Sequence, residues 1–112
     1  MTKFMLLYKG PATPMENISE ENGKEIMDGW RRWMEKVGDA LTDIGSPLAP
    51  GKAQVDDGKV REAIDLSGYT IIQAENIDKA LELVKDHPFL SDKTGEFSVE
   101  IFEITPLPDM SA

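Results

Sequence analysis

The chain has 112 residues, about the size of one domain, with 40% hydrophobic residues, 29% charged residues and a formal net charge of −9. That balance excludes disorder along most of the length, and the charge opposes any polyanion, so nucleic acid is not an expected partner. The lack of cysteine excludes disulfides, thiolate metal sites and cysteine nucleophiles; no apolar run approaches the roughly 20 residues that cross a bilayer, so no membrane contact is expected.

Lys3–Tyr8 reads as a first strand, with Phe4, Leu6 and Tyr8 on one face and Met5 and Leu7 on the other. The run is too short for a signal peptide, and cytoplasmic residence is the expectation. Gly10–Pro14 breaks the chain, Thr13 could open a helical turn, and Ser19 offers the preferred cap for a long helix. Ile26, Met27, Trp30, Trp33, Met34, Val37, Leu41 and Ile44 recur every three or four residues, which lays an apolar stripe along that helix. Gly38 and Gly45 bracket its end, with Leu41–Leu48 passing into a short strand or irregular segment.

Gln54–Arg61 carries an Asp57-Gly58 pair between strand formers, the signal of a tight two-residue hairpin whose polar sides make it project from the main sheet. Leu66–Ala74 is the next strand, and Asn76 caps a second helix through Ile77, Ala80, Leu81 and Val84, which His87-Pro88 stops. After a loop over 90–95, Phe97, Val99 and Ile101 alternate with Ser98, Glu100 and Phe102 in a last strand that Pro106 and Pro108 end. The order predicts an α+β fold: a ferredoxin-like antiparallel sheet with two helices on one face and an inserted hairpin, as one domain over 1–108 with a frayed tail at 109–112.

The segments Trp30–Met34, Gly38–Pro47, Leu66–Ile72, His87–Leu90 and Val99–Ile104, in that order and spacing, resemble the pattern of YCII-related proteins along nearly the whole chain. The resemblance implies a subunit that pairs through its sheet into a dimeric α+β barrel, with a pocket between helices and sheet. Apolar residues of both parities in the first, third and last strands agree with a homodimer through the sheet faces; the alternative is that the hairpin folds over the open face. Family members proposed as enzymes carry a histidine in the first long helix and an aspartate nearby. Here that histidine would fall near Met27, and no histidine precedes His87, so the family's usual mechanism does not carry over.

The pocket candidates are Trp30, Asp43, Ser46, His87 and Phe89, with Asp43 and His87 as the weak catalytic candidates. His87 is the one side chain expected to titrate near neutral pH; a helix C-terminus and Asp86 would favour its charged form, and its plain reading is a helix-terminating residue. Asp43 could bind a polar ligand or act as a base, or be a solvated turn residue. Ser46 lacks a base to make it a nucleophile. Helical spacing assigns Trp30 and Trp33 first to the core, with one of the two free to face a pocket. Glu100 and Glu103 cannot share a strand face, no second histidine joins His87 as a metal ligand, and no glycine-rich loop cradles a phosphate, so neither metal nor cofactor is expected. Two functions follow: a homodimer binding a small molecule in the helix–sheet pocket, with catalysis undecided, or a non-catalytic interaction module.

Overall fold

The computed structural model describes residues 1–10, 20–90 and 95–107. The turn at Thr13, the cap at Ser19, most of the loop before the last strand and the 109–112 tail lie outside them. Four strands form one antiparallel sheet: β1 (Thr2–Lys9), β2 (Leu41–Pro47), β5 (Leu66–Ala74) and β6 (Ser98–Glu103), in the order β2-β5-β1-β6. Helix α1 (Glu20–Val37) links β1 to β2 through a 3₁₀ turn, and α2 (Ile77–Val84) lies between β5 and β6, in the ferredoxin-like arrangement the sequence predicts.

Strand alternation sorts the residues. Phe4, Leu6 and Tyr8 of β1 and Thr70, Ile72 and Ala74 of β5 are buried on the helix-facing side, where they meet Trp33 and Val37 of α1 and Ala80 and Val84 of α2. Trp33 also donates from its indole Nε1 to the Leu83 carbonyl at 2.9 Å, tying α1 to α2. Asn76 caps α2 as expected, its side chain accepting from the Lys79 amide at 3.0 Å.

Three local expectations change. The apolar stripe runs on in sequence to Leu41 and Ile44, but α1 stops at Val37, and those two residues belong to β2. Ile26 and Met27, early in the stripe, are exposed. Helix α2 ends at Val84, three residues before His87, and Pro88–Leu90 forms a separate 3₁₀ turn.

The hairpin exists as β3 (Lys52–Gln54) and β4 (Val60–Glu62), but its turn is longer than two residues. The Gly58 amide bonds the Val55 carbonyl at 3.0 Å, the Val55 amide bonds the Lys59 carbonyl at 2.8 Å, and Gly58 sits at φ +91°. A two-residue turn of the primed kind would force a positive φ on Asp57 as well; the extra residue leaves only glycine there. β3 and β4 pair with each other alone, as a separate two-stranded sheet. The hairpin therefore adds no strand to the main sheet, on whose face opposite the helices Met5, Leu7, Tyr69 and Ile71 are half-buried and Phe102 is 52% exposed.

Candidate functional site

The polar residues of the core gather at the Tyr8 end of the sheet. Tyr8 is on the helix-facing side of β1, Thr70 one pleat along on β5, and His87 drops between them and α1. The Phe89 amide donates to His87 Nδ1 at 3.0 Å, so Nδ1 is the acceptor and the ring proton is on Nε2. Nε2–H then donates to the Tyr8 hydroxyl at 3.0 Å, the Tyr8 hydroxyl to Thr70 Oγ1 at 2.5 Å, and Thr70 to the Ile44 carbonyl at 2.8 Å. One amide thus sets the direction of every proton down to the edge strand.

Aromatic rings wall this chain. Trp30 stands edge-on to His87 with centroids 4.6 Å apart, Trp33 lies 4.3 Å away, and Tyr8 contacts Phe89 at 5.2 Å. Phe97 meets Phe89 edge-on at 5.3 Å. Trp33 is buried, whereas Trp30, Phe89 and Phe97 keep part of their surface in solvent. The cluster is therefore dry on the sheet side and aromatic where it meets water.

A family profile for the YCII-related domain matches residues 2–105. The chain belongs to the YCII-related family. Among solved structures, this YCII-related domain is similar in fold to 5-chloro-2-hydroxyhydroquinone dehydrochlorinase (TftG) from Burkholderia phenoliruptrix AC1100, solved in complex with 2,5-dihydroxybenzoquinone. The TM-score is 0.54 at 17% identity, over 92% of this chain and 93% of that one. No curated protein matches the chain.

Burial dictates the electrostatics of the cluster. Desolvation lowers the His87 pKa from 6.5 to about 4, so the ring is neutral near pH 7. The charged form expected from the helix end and Asp86 is not what the fold favours: α2 has already ended, and Asp86 turns outward to Lys36 at 3.1 Å. Desolvation pushes the Tyr8 phenol up to about 12, against the smaller opposite effect of the Thr70 hydrogen bond. The Tyr8 proton has no route to His87, because Nε2 already carries a proton directed at the Tyr8 hydroxyl and Nδ1 is taken by the Phe89 amide. The pair is built to hold protons in place.

The five residues grouped by the sequence are divided by the sheet. Trp30, His87 and Phe89 come together. Asp43 pairs with Ile71 and Ser46 with Tyr69, residues of the face opposite the helices, and both are exposed on β2. Asp43 Oδ1 accepts from the Gly45 amide at 2.9 Å, which is the turn role. That bond holds Gly45 at φ +78°, where an added Cβ would lie 1.8 Å from the Tyr69 carbonyl oxygen. Of the cluster, Tyr8 and Thr70 were not singled out from sequence, although each is a polar group on a helix-facing strand position and so must find a partner.

Among the described residues no group of three or more His, Asp or Glu side chains could hold a metal ion, and no buried side-chain polar atom lacks a hydrogen-bond partner. No described helix is long and apolar enough to cross a membrane. A shallow cleft of about 480 Å³ lies at the other end of β1, lined by Met1–Lys3 and Glu103–Pro106, and takes in none of the aromatic cluster.

Proposed function

We propose that this YCII-related domain is a cytoplasmic homodimer that binds a small planar molecule against the aromatic end of its helix–sheet layer, at Trp30, His87 and Phe89. The observation that carries the reading is a neutral, fully hydrogen-bonded histidine behind three partly exposed rings: the site offers stacking surface and an uncharged imidazole to a ligand. The TftG complex supports the ligand class, because its 2,5-dihydroxybenzoquinone is a planar ring. Pairing through the sheet would cover Met5, Leu7, Ile71 and Phe102, which no described helix packs against. Catalysis by the His87–Tyr8 pair is not part of the proposal, because His87 Nε2 already donates to Tyr8 and the Tyr8 proton is directed at Thr70; Asp43 and Ser46 are set aside because they face away.

The test follows the two indole N–H signals by heteronuclear NMR while 2,5-dihydroxybenzoquinone or hydroquinone is added. Saturable movement of Trp30 is expected, with Trp33 nearly still because its N–H is held by Leu83, and with the response lost in Trp30→Leu. If neither compound moves Trp30, or both indoles move alike without saturating, the binding reading fails. Exposed Ile26, Met27, Ile77 and Leu81 on the helices favour the interaction module in that event.

A further inference from the structure

We infer that the indole N–H of Trp30 is the donor that anchors a ligand at the aromatic site, and that it selects a planar ring bearing an acceptor oxygen, a quinone carbonyl or a phenolic oxygen. The inference rests on the binding reading above and adds the chemistry by which the site tells one flat ring from another. The polar hydrogens around the site can be followed one by one. In the turn beneath it, the His87 amide donates to the Val84 carbonyl at 2.9 Å, Pro88 has no N–H, the Phe89 amide donates to His87 Nδ1 at 3.0 Å, and the Leu90 amide donates to the His87 carbonyl at 3.0 Å. The turn has no donor left for a ligand.

The buried groups behind the turn are engaged as well. His87 Nε2–H is held by Tyr8, the Tyr8 hydroxyl by Thr70, and the Thr70 hydroxyl by the Ile44 carbonyl. With Nδ1 taken by the Phe89 amide, the imidazole can neither give nor accept a further hydrogen bond. Trp33 gives its own N–H to the Leu83 carbonyl. Trp30 differs. Its Nε1–H has no acceptor among the described residues, and because no buried side-chain polar atom there lacks a partner, this nitrogen reaches solvent. The half-buried ring is held perpendicular to three others: His87 at 4.6 Å and 89°, Tyr8 at 5.5 Å and 88°, and Trp33 at 6.1 Å and 85°. A donor fixed in this way at the wet edge of an apolar patch meets an incoming oxygen with little further loss of freedom. A flat hydrocarbon would gain the same stacking but strip the N–H of its water and return nothing.

Two neutral probes of matching shape, hydroquinone and p-xylene, test this on the intact chain, with the Trp30 Nε1 proton followed by NMR. Hydroquinone is expected to move that proton downfield, the direction of a stronger hydrogen bond, and p-xylene upfield as the water is lost. Trp30→Phe keeps a ring and removes the N–H. Lost stacking area weakens both probes alike, so the affinity for hydroquinone relative to p-xylene is expected to fall about fivefold, and that for 2,5-dihydroxybenzoquinone, a stronger acceptor, about tenfold. An unchanged ratio in Trp30→Phe, or a Trp30 proton that moves the same way with both neutral probes, overturns the donor role and spares the planar-ligand reading. A Trp30 signal left unmoved by hydroquinone and 2,5-dihydroxybenzoquinone overturns both. Should Trp30→Phe fail to fold, the two shift directions in the wild type decide by themselves.

Discussion

Replacing Tyr8 by phenylalanine deletes one oxygen from the centre of the buried hydrogen-bond chain and leaves the ring packing in place. His87 Nε2–H then faces no acceptor in a residue that is 2% exposed. The ring cannot relieve this by moving its proton, because Nδ1–H would point at the Phe89 amide, a donor 3.0 Å away. An orphaned buried donor costs about 1–3 kcal/mol, whereas Thr70 keeps its bond to Ile44. We expect about 2 kcal/mol in total, or a drop in Tm of about 8 °C for a chain of this length. Urea unfolding at fixed protein concentration measures it, with the slope unchanged. Thr70→Val should cost a similar amount, and the double variant less than the sum, because both changes break the same 2.5 Å bond. A Tyr8→Phe protein within 0.5 kcal/mol of wild type, or a strictly additive pair, would refute the directed chain.

The His87 imidazole is expected to keep constant NMR shifts from pH 8 to about 5.5 and to titrate near 4. A folded pKa below the free value means that the unfolded chain takes up the proton first. The His87 contribution to stability is thus complete above about pH 6.5 and lost as pH falls through 4, on the order of 3 kcal/mol; a midpoint at 6 or above contradicts its burial as a neutral ring. Gly45→Ala should cost more than about 2 kcal/mol and loosen β2, since the new methyl meets the Tyr69 backbone, which exchange of the β2 amides would report. Asn76→Ala should cost about 1 kcal/mol through loss of the Lys79 cap bond, read by chemical denaturation.

The contrast between fold and site is one of sequence distance. Strands β1 and β5 were legible because period two is written over a few adjacent residues, and α2 because Asn76 announces its own cap. Such signals fix which face a side chain takes. They say less about where an element stops: the three-residue step carried on through Leu41 and Ile44 although the chain had already left the helix, because apolar residues in a half-buried edge strand can keep helical spacing by accident. The charge state of His87 was misjudged for the same reason, since it hung on whether α2 reached that residue.

The buried chain itself spans 62 residues from Tyr8 to Thr70 and 79 from Tyr8 to His87. Part of it was still within reach. Tyr8 follows Phe4 and Leu6 on one face of β1 and Thr70 precedes Ile72 and Ala74 on one face of β5, so each strand puts a hydroxyl on its buried face, and a buried hydroxyl demands a partner. Antiparallel pairing in the observed register, with Tyr8 opposite Gly68, makes those two hydroxyls diagonal neighbours over a residue that has no side chain to separate them. His87 could not be reached that way. Its seat depends on α2 ending early, on the turn that aims the Phe89 amide back at the ring, and on α1 presenting Trp30 and Trp33 at that height. Three elements must be in place before the histidine has an environment at all, which is why the residue that looked most chemical in the sequence proves to be the one most completely determined by the fold.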